Sequence, residues 1–177
     1  NGKKIEYNVV EVAGSPNYTQ SIGQIVETED GYKVIIENNE QVGNIRVNKK
    51  IKYNEEDISN NIDKTFYFVV KMSDNRYILH DAQGNTYIDT ITELTGSDKL
   101  SNALWEINSK NNNGVRITNL ILNERYEVIE VNSNGEAINE SNSNYNVSYS
   151  NNSVTITNPL EVPEITITNS VKTKNLE

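Results

Sequence analysis

Along the whole chain, short runs of alternating apolar and polar residues are separated by polar turns rich in asparagine and glycine. A period of two puts every second side chain on one face, the mark of a half-buried β-strand. Such runs fall at residues 5–12, 32–36, 45–47, 65–71, 76–80, 86–92, 115–120, 125–131, 145–149, 154–157 and 164–168. Between them stand turn signals such as Glu29-Asp30-Gly31, Ala82-Gln83-Gly84-Asn85, Asn111-Asn112-Asn113-Gly114 and Ser133-Asn134-Gly135. Residues 54–63 read as a polar loop, and residues 97–110 are the one stretch that suits a helical turn. Many short strands without long helical periodicity predict an all-β sandwich.

An internal repeat sharpens this picture. Tyr7-x-Val9-x-Glu11 is followed by Val34-x-Ile36-x-Asn38, and Tyr126-x-Val128-x-Glu130 by Val154-x-Ile156-x-Asn158. The separation from glutamate to asparagine is 27 residues in the first copy and 28 in the second. Strand alternation places Glu130 on the face of Tyr126 and Val128, and Asn158 on the face of Val154 and Ile156. In the same way Ile45 and Val47 carry Lys49 inward and turn Lys50 outward. An amine, a carboxyl and a carboxamide thus each end an apolar stripe, and burying such groups is costly unless they meet.

These groups point to an intramolecular isopeptide bond. Burial lowers a lysine pKa and raises that of a carboxylic acid. A neutral amine is a nucleophile, and an asparagine carboxamide carbon is an electrophile. A glutamic acid between them can move the protons, and neighbouring strands supply the proximity. Lys49 and Asn158 are the expected bond partners, with Glu130 assisting. A second arrangement makes Glu164-Ile-Thr-Ile-Thr-Asn169 the closing strand with Asn169 as acceptor. Its glutamate-to-asparagine spacing is 39, against 27 in the first copy, which favours Asn158. Glu11 and Asn38 form an incomplete second site, with no lysine strand before them.

The ordered set Ile45-Arg-Val-Asn-Lys49, Lys64-Thr-Phe-Tyr-Phe-Val, Gly114-Val-Arg-Ile-Thr-Asn-Leu, Tyr126-Glu-Val-Ile-Glu130 and Val154-Thr-Ile-Thr-Asn158 resembles the B-type (Cna-B) domains of Gram-positive collagen adhesins and pilins. The resemblance covers residues 43–160, and residues 1–42 resemble the rear half of a preceding unit. It implies a seven-stranded immunoglobulin-like sandwich, a Lys–Asn isopeptide bond and a stalk role at the cell surface or cell wall. Residues 161–177 then read as a linker and the possible first strand of a following unit. Neither a sortase motif nor a pilin-type lysine motif of the Tyr-Pro-Lys kind stands in these residues. The chain opens on Asn1 and reads as a piece of a longer polypeptide.

Composition narrows the function further. The 177 residues carry a formal charge of −9, no cysteine and one histidine. Thiol chemistry and disulfides are thereby excluded, the single histidine argues against a histidine-based triad, and the acidic charge disfavours nucleic acid. No run is long enough for a membrane-spanning helix. No cofactor or metal is expected, and the cross-linking is a single intramolecular event, not enzymatic turnover. The expected partners are neighbouring domains of the same kind. A host protein or glycan, gripped by the loops at residues 54–63 and 97–113, is the competing function. His80 is expected at the surface, and Trp105 is expected to pack on the sandwich.

Overall fold

The computed structural model describes residues 5–12 and 17–172; residues 1–4, 13–16 and 173–177 lie outside the description. The first four residues of the segment 1–42 and the last five of the segment 161–177 are among the latter. The chain divides into two compact units, residues 1–42 and 43–177. Almost all of its regular structure is strand, so the fold is all-β.

The second unit is a two-sheet sandwich. Its strands are β5 (Val42–Tyr53), β6 (Glu56–Asp57), β7 (Thr65–Lys71), β8 (Arg76–His80), β9 (Thr86–Thr90), β10 (Trp105–Asn108), β11 (Val115–Ile121), β12 (Arg125–Val131), β13 (Tyr145–Tyr149), β14 (Ser153–Thr155) and β15 (Glu164–Val171). One sheet runs β14-β12-β7-β8-β9, with β10 also on β7. The other runs β11-β5-β15-β13, with β6 also on β5. This is richer in strands than the seven-stranded arrangement that the resemblance implies. The first unit holds β1 (Tyr18–Ile22) paired with β4 (Ile36–Glu40), and β2 (Val26–Thr28) paired with β3 (Gly31–Lys33).

Strand alternation builds the core. On β5, Ile45, Val47, Lys49 and Ile51 face inward while Lys50 is exposed. Opposite them Phe66, Phe68 and Val70 of β7, Tyr126 and Val128 of β12, and Ile165 and Ile167 of β15 close the main apolar layer. Gly114, at φ +68, starts β11 where any Cβ would strike the backbone of Val47, so only glycine lets β11 lie against β5.

A second, smaller apolar cluster lies on the other face of the β7 sheet. Val69, Tyr77, Leu79 and Val131 are covered there by Ile91 and Ala103, with Leu94 and Leu104 packed alongside. Residues 91–104 therefore act as a cover, and their only helix is the single turn Leu100–Ala103. Trp105 packs against the main core and donates its indole N–H to the Ile78 carbonyl at 3.1 Å. His80 is half-buried, not at the surface as expected. Its ring lies 4.6 Å from that of Trp105, and Nε2 is 2.9 Å from the Leu104 carbonyl. No helix among the described residues is long and apolar enough to cross a membrane.

The last strand departs most from expectation. Residues 164–171 do not open a following unit; β15 is inserted between β5 and β13 of the same sandwich. It runs parallel to β5, with Ile167 opposite Lys49 and Asn169 opposite Ile51. It runs antiparallel to β13, with Val147 opposite Asn169. The branched apolar pair Ile165 and Ile167 explains why, since both are fully buried and leaving them in water would cost about 1.5–3 kcal/mol each.

Candidate functional site

Three polar side chains meet inside the sandwich, one from each of three strands. Lys49 stands in the inward stripe of β5 between Val47 and Ile51, Glu130 ends that of β12, and Asn169 ends the stripe Ile165-x-Ile167-x-Asn169 of β15. The Lys49 side chain is fully buried, and those of Glu130 and Asn169 nearly so. Lys49 Nζ donates to Glu130 Oε2 at 2.9 Å and to Asn169 Oδ1 at 2.5 Å. Asn169 Nδ2 donates to the other carboxylate oxygen, Glu130 Oε1, at 2.9 Å. One carboxylate thus bridges the amine and the carboxamide nitrogen, and the amine touches the carboxamide oxygen.

The surroundings are apolar and cationic. The Phe66 ring centroid is 4.1 Å from Lys49 Nζ. The exposed end of the same aromatic group is shared with Lys64, whose Nζ lies 5.3 Å from Phe66 and 5.1 Å from Tyr145. Burial brings the Lys49 pKa down from 10.5 to about 8; the attraction of Glu130 opposes this, and the charge of Lys64 adds to it. The Tyr149 hydroxyl accepts the backbone N–H of Glu130 at 2.8 Å and so fixes the end of β12 beside the cluster. A cleft of about 300 Å³ reaches Glu130 from outside, lined by Lys64, Phe66, Ile138, Asn142 and Tyr145.

Asn158 is not part of this cluster, which corrects the expected pairing with Lys49. It is half-buried just before the turn at residues 159–160, where its Oδ1 accepts from the Leu160 N–H at 3.0 Å and its Nδ2 donates to Glu161 at 3.3 Å. The reason is strand direction. β14 pairs antiparallel with β12, with Val154 opposite Tyr126 and Thr155 opposite Arg125. Continuing from Thr155 carries the chain past the start of β12, toward the end farthest from Glu130. The stripe of Val154 and Ile156 is therefore broken before it reaches Asn158.

The signal for Asn169 lay in its own stripe, Ile165-x-Ile167-x-Asn169, which obeys the facing rule as well as the one chosen. Spacing misled because the second unit has longer connections, notably residues 132–144 between β12 and β13.

Glu11 and Asn38 are also brought together, in the first unit. Asn38 Nδ2 donates to Glu11 Oε1 at 3.4 Å, and the Gln20 side-chain amide donates to Glu11 Oε2. Asn38 is exposed and Glu11 half-buried, so this pair is not sealed in a core.

No family model matches the sequence. No curated protein matches it either. Among solved structures, similar folds include the group B streptococcus pilus 2b backbone protein, at 15% identity over 82% of this chain and 46% of that one, with a TM-score of 0.44. The major pilin from Streptococcus pyogenes is 15% identical over 90% of this chain and 66% of that one, with a TM-score of 0.39. A variant of the shaft pilin from Lactobacillus rhamnosus GG is 15% identical over 82% and 53%, with a TM-score of 0.36. The chain spans less than half the length of the first of these and under two thirds of the other two.

Proposed function

We propose that residues 43–172 are a self-cross-linking structural module of a Gram-positive surface adhesin or pilus-like protein, closed by an isopeptide bond between Lys49 and Asn169. The observation that carries this reading is the buried contact of amine, carboxylate and carboxamide. The motif resemblance supplies the surface role.

The geometry suits the chemistry step by step. With Lys49 held near pH 8, a usable fraction of the amine is neutral. Glu130 Oε2 takes the proton that Nζ gives up, and Nζ attacks Asn169 Cγ, whose oxygen it already touches. Glu130 Oε1 faces Nδ2 and delivers a proton to it, so that ammonia departs. The Nζ–Cγ bond forms and the Cγ–Nδ2 bond breaks, with no change of oxidation state. The cleft lined by Lys64, Asn142 and Tyr145 gives the ammonia a way out.

The mechanical consequence follows from β5 and β15 being the first and last strands of the unit, side by side and parallel. Tension entering at β5 and leaving at β15 crosses through the bond. The chain that spans the 120 positions from Lys49 to Asn169 is then shielded from extension, roughly 400 Å of it.

The test is the intact mass of the denatured protein. The natural sequence and Asn158→Ala should each fall one ammonia short of the sum of their residues, while Asn169→Ala and Glu130→Ala should show full mass. A full mass for the natural sequence would overturn the bond, and a deficit abolished by Asn158→Ala but kept in Asn169→Ala would move it to the other asparagine.

A further inference from the structure

Glu130 stands where β12 outruns one of its two neighbours. On one side the ladder with β7 places Glu130 opposite Phe68. On the other side β14 pairs with Arg125, Tyr126 and Glu127, and beyond them the Val128 N–H donates to the Asn152 carbonyl at 2.8 Å. A strand offers every second N–H to the same side, so the Glu130 N–H points to the edge that β14 has left. Two groups from residues 132–149 stand in for a strand there. The Tyr149 hydroxyl accepts that N–H at 2.8 Å, and the Ile138 N–H donates to the Glu130 carbonyl at 3.0 Å.

Tyr149 belongs to the opposite sheet. It lies on the edge strand β13, whose inward stripe is Tyr145, Val147 and Tyr149. Each of the three meets a different part of the cluster. The Tyr145 ring stands edge-on to Phe66 at 5.9 Å, and the Phe66 ring is the one that Lys49 Nζ contacts. Val147 is opposite Asn169 on β15. Tyr149 holds the main chain of Glu130. Burial raises the Tyr149 pKa from its ordinary value, so the hydroxyl is neutral throughout the range in which Lys49 titrates.

We propose that Tyr149 is a positioning residue for the cross-linking reaction: its hydroxyl, brought by β13, fixes the Glu130 main chain so that the carboxylate lies between Lys49 Nζ and Asn169 Nδ2. The inference rests on the chemistry proposed for Lys49 and Asn169. Tyr149 acts through Glu130 alone and exchanges no proton with the reacting groups. Without the hydroxyl the Glu130 N–H loses its acceptor, and the end of β12 is free to shift toward another. The carboxylate has to serve the amine and the carboxamide at once, each at 2.9 Å. A misplacement of about 1 Å in such an arrangement can cost roughly 100-fold in rate.

The experiment follows ammonia loss by intact mass while the full chain refolds, for the natural sequence, Tyr149→Phe and two controls. Tyr149→Phe keeps the ring and removes only the hydroxyl. The controls, Ile91→Val and Leu79→Ala, lie in the second apolar cluster on the other face of the β7 sheet and bracket the loss of stability. Tyr149→Phe should form the bond roughly tenfold more slowly, by the same factor at pH 7 and pH 9, because the charge of Lys49 is untouched. Both controls should react at the natural rate. In the Asn169→Ala background, where the bond cannot form, Tyr149→Phe should speed hydrogen exchange at the Glu130 amide relative to the Val128 amide, and Leu79→Ala should not. A natural rate in Tyr149→Phe, or equal slowing by Leu79→Ala, overturns the positioning role while the Lys49–Asn169 bond stands. Slowing at pH 7 that disappears at pH 9 overturns it in favour of an effect on the Lys49 proton. A natural sequence that never loses ammonia overturns the bond itself, and this role with it.

Discussion

The two units hold the same pair of groups in opposite surroundings. In the second, Glu130 and Asn169 are sealed under two sheets with Lys49, and every hydrogen-bonding atom of the three side chains faces another or the aromatic wall. In the first, Glu11 is half-buried and Asn38 exposed, with no amine bonded to either among the described residues and with exposed tyrosine and isoleucine in the same unit. What separates the proposed reactive centre from two adjacent polar side chains is thus the strand that brings the lysine and the layer that excludes water. Desolvation makes the amine nucleophilic, and the same desolvation makes the un-cross-linked cluster expensive. A solvated pair bears neither the cost nor the reactivity.

Paired alanine substitutions give the largest effect and test this contrast directly. Glu130→Ala should prevent the proposed bond, and it strands Lys49 without its carboxylate. By chain entropy alone, a cross-link spanning 120 positions contributes about 5 kcal/mol, and an orphaned buried charge adds roughly 3–5 kcal/mol to the loss. The same change at Glu11 should shift stability by less than about 0.5 kcal/mol, as for an ordinary exposed residue. Denaturant unfolding of both variants beside the natural sequence measures the difference. Equal midpoints for Glu130→Ala and the natural sequence would show that the second unit is no more special than the first.

Next in size is a pH effect visible only when the bond is absent. Asn169→Ala keeps Lys49 beside Glu130 as a titrating amine. Its folded pKa, about 8, lies below the 10.5 of the unfolded chain, so unfolding takes up a proton between those values. Stability therefore rises with pH across that window: the penalty is fully present below pH 8 and gone above 10.5. Its size is roughly 3 kcal/mol, from 1.36 kcal/mol for each pH unit. With the proposed bond formed, the natural sequence has no such amine and should lack this rise. Unfolding curves from pH 7 to 10.5 check it, and parallel pH profiles for the two proteins would mean that Lys49 is not held in its neutral form by burial.

How much of this was legible beforehand differs from residue to residue. Alternation along Ile45, Val47 and Lys49, and along Tyr126, Val128 and Glu130, is a local property, and the structure buries both polar ends as that pattern requires. The third partner depended on which strand lies beside β5, a non-local fact. Two stripes, ending at Asn158 and at Asn169, obeyed the same facing rule. The internal repeat favoured the wrong one because spacing in sequence includes loops that geometry ignores. Residues 5–12 alternate like a strand yet join no ladder, since alternation supplies a face but not a neighbour. The cover over Val69 and Leu79 was equally hidden, because residues 91–104 have no periodicity and bury apolar side chains singly.

The smallest effect concerns Lys64, which the repeat did not single out. Its ammonium lies over the same Phe66 ring that Lys49 touches, and its charge disfavours a second charge there. Lys64→Met keeps the aliphatic stem against Phe66 and Tyr145 while removing that charge. The Lys49 amine should then hold its proton more firmly, and at pH 7 fewer molecules carry the neutral nucleophile at any moment. Half a pH unit of change corresponds to bond formation slowed roughly threefold. Mass spectra taken at intervals after refolding give the rate, and at pH 9, above the Lys49 pKa, the two proteins should converge. A slowing that persists unchanged at pH 9 would assign Lys64 to packing or to shaping the cleft, and not to the charge state of the amine.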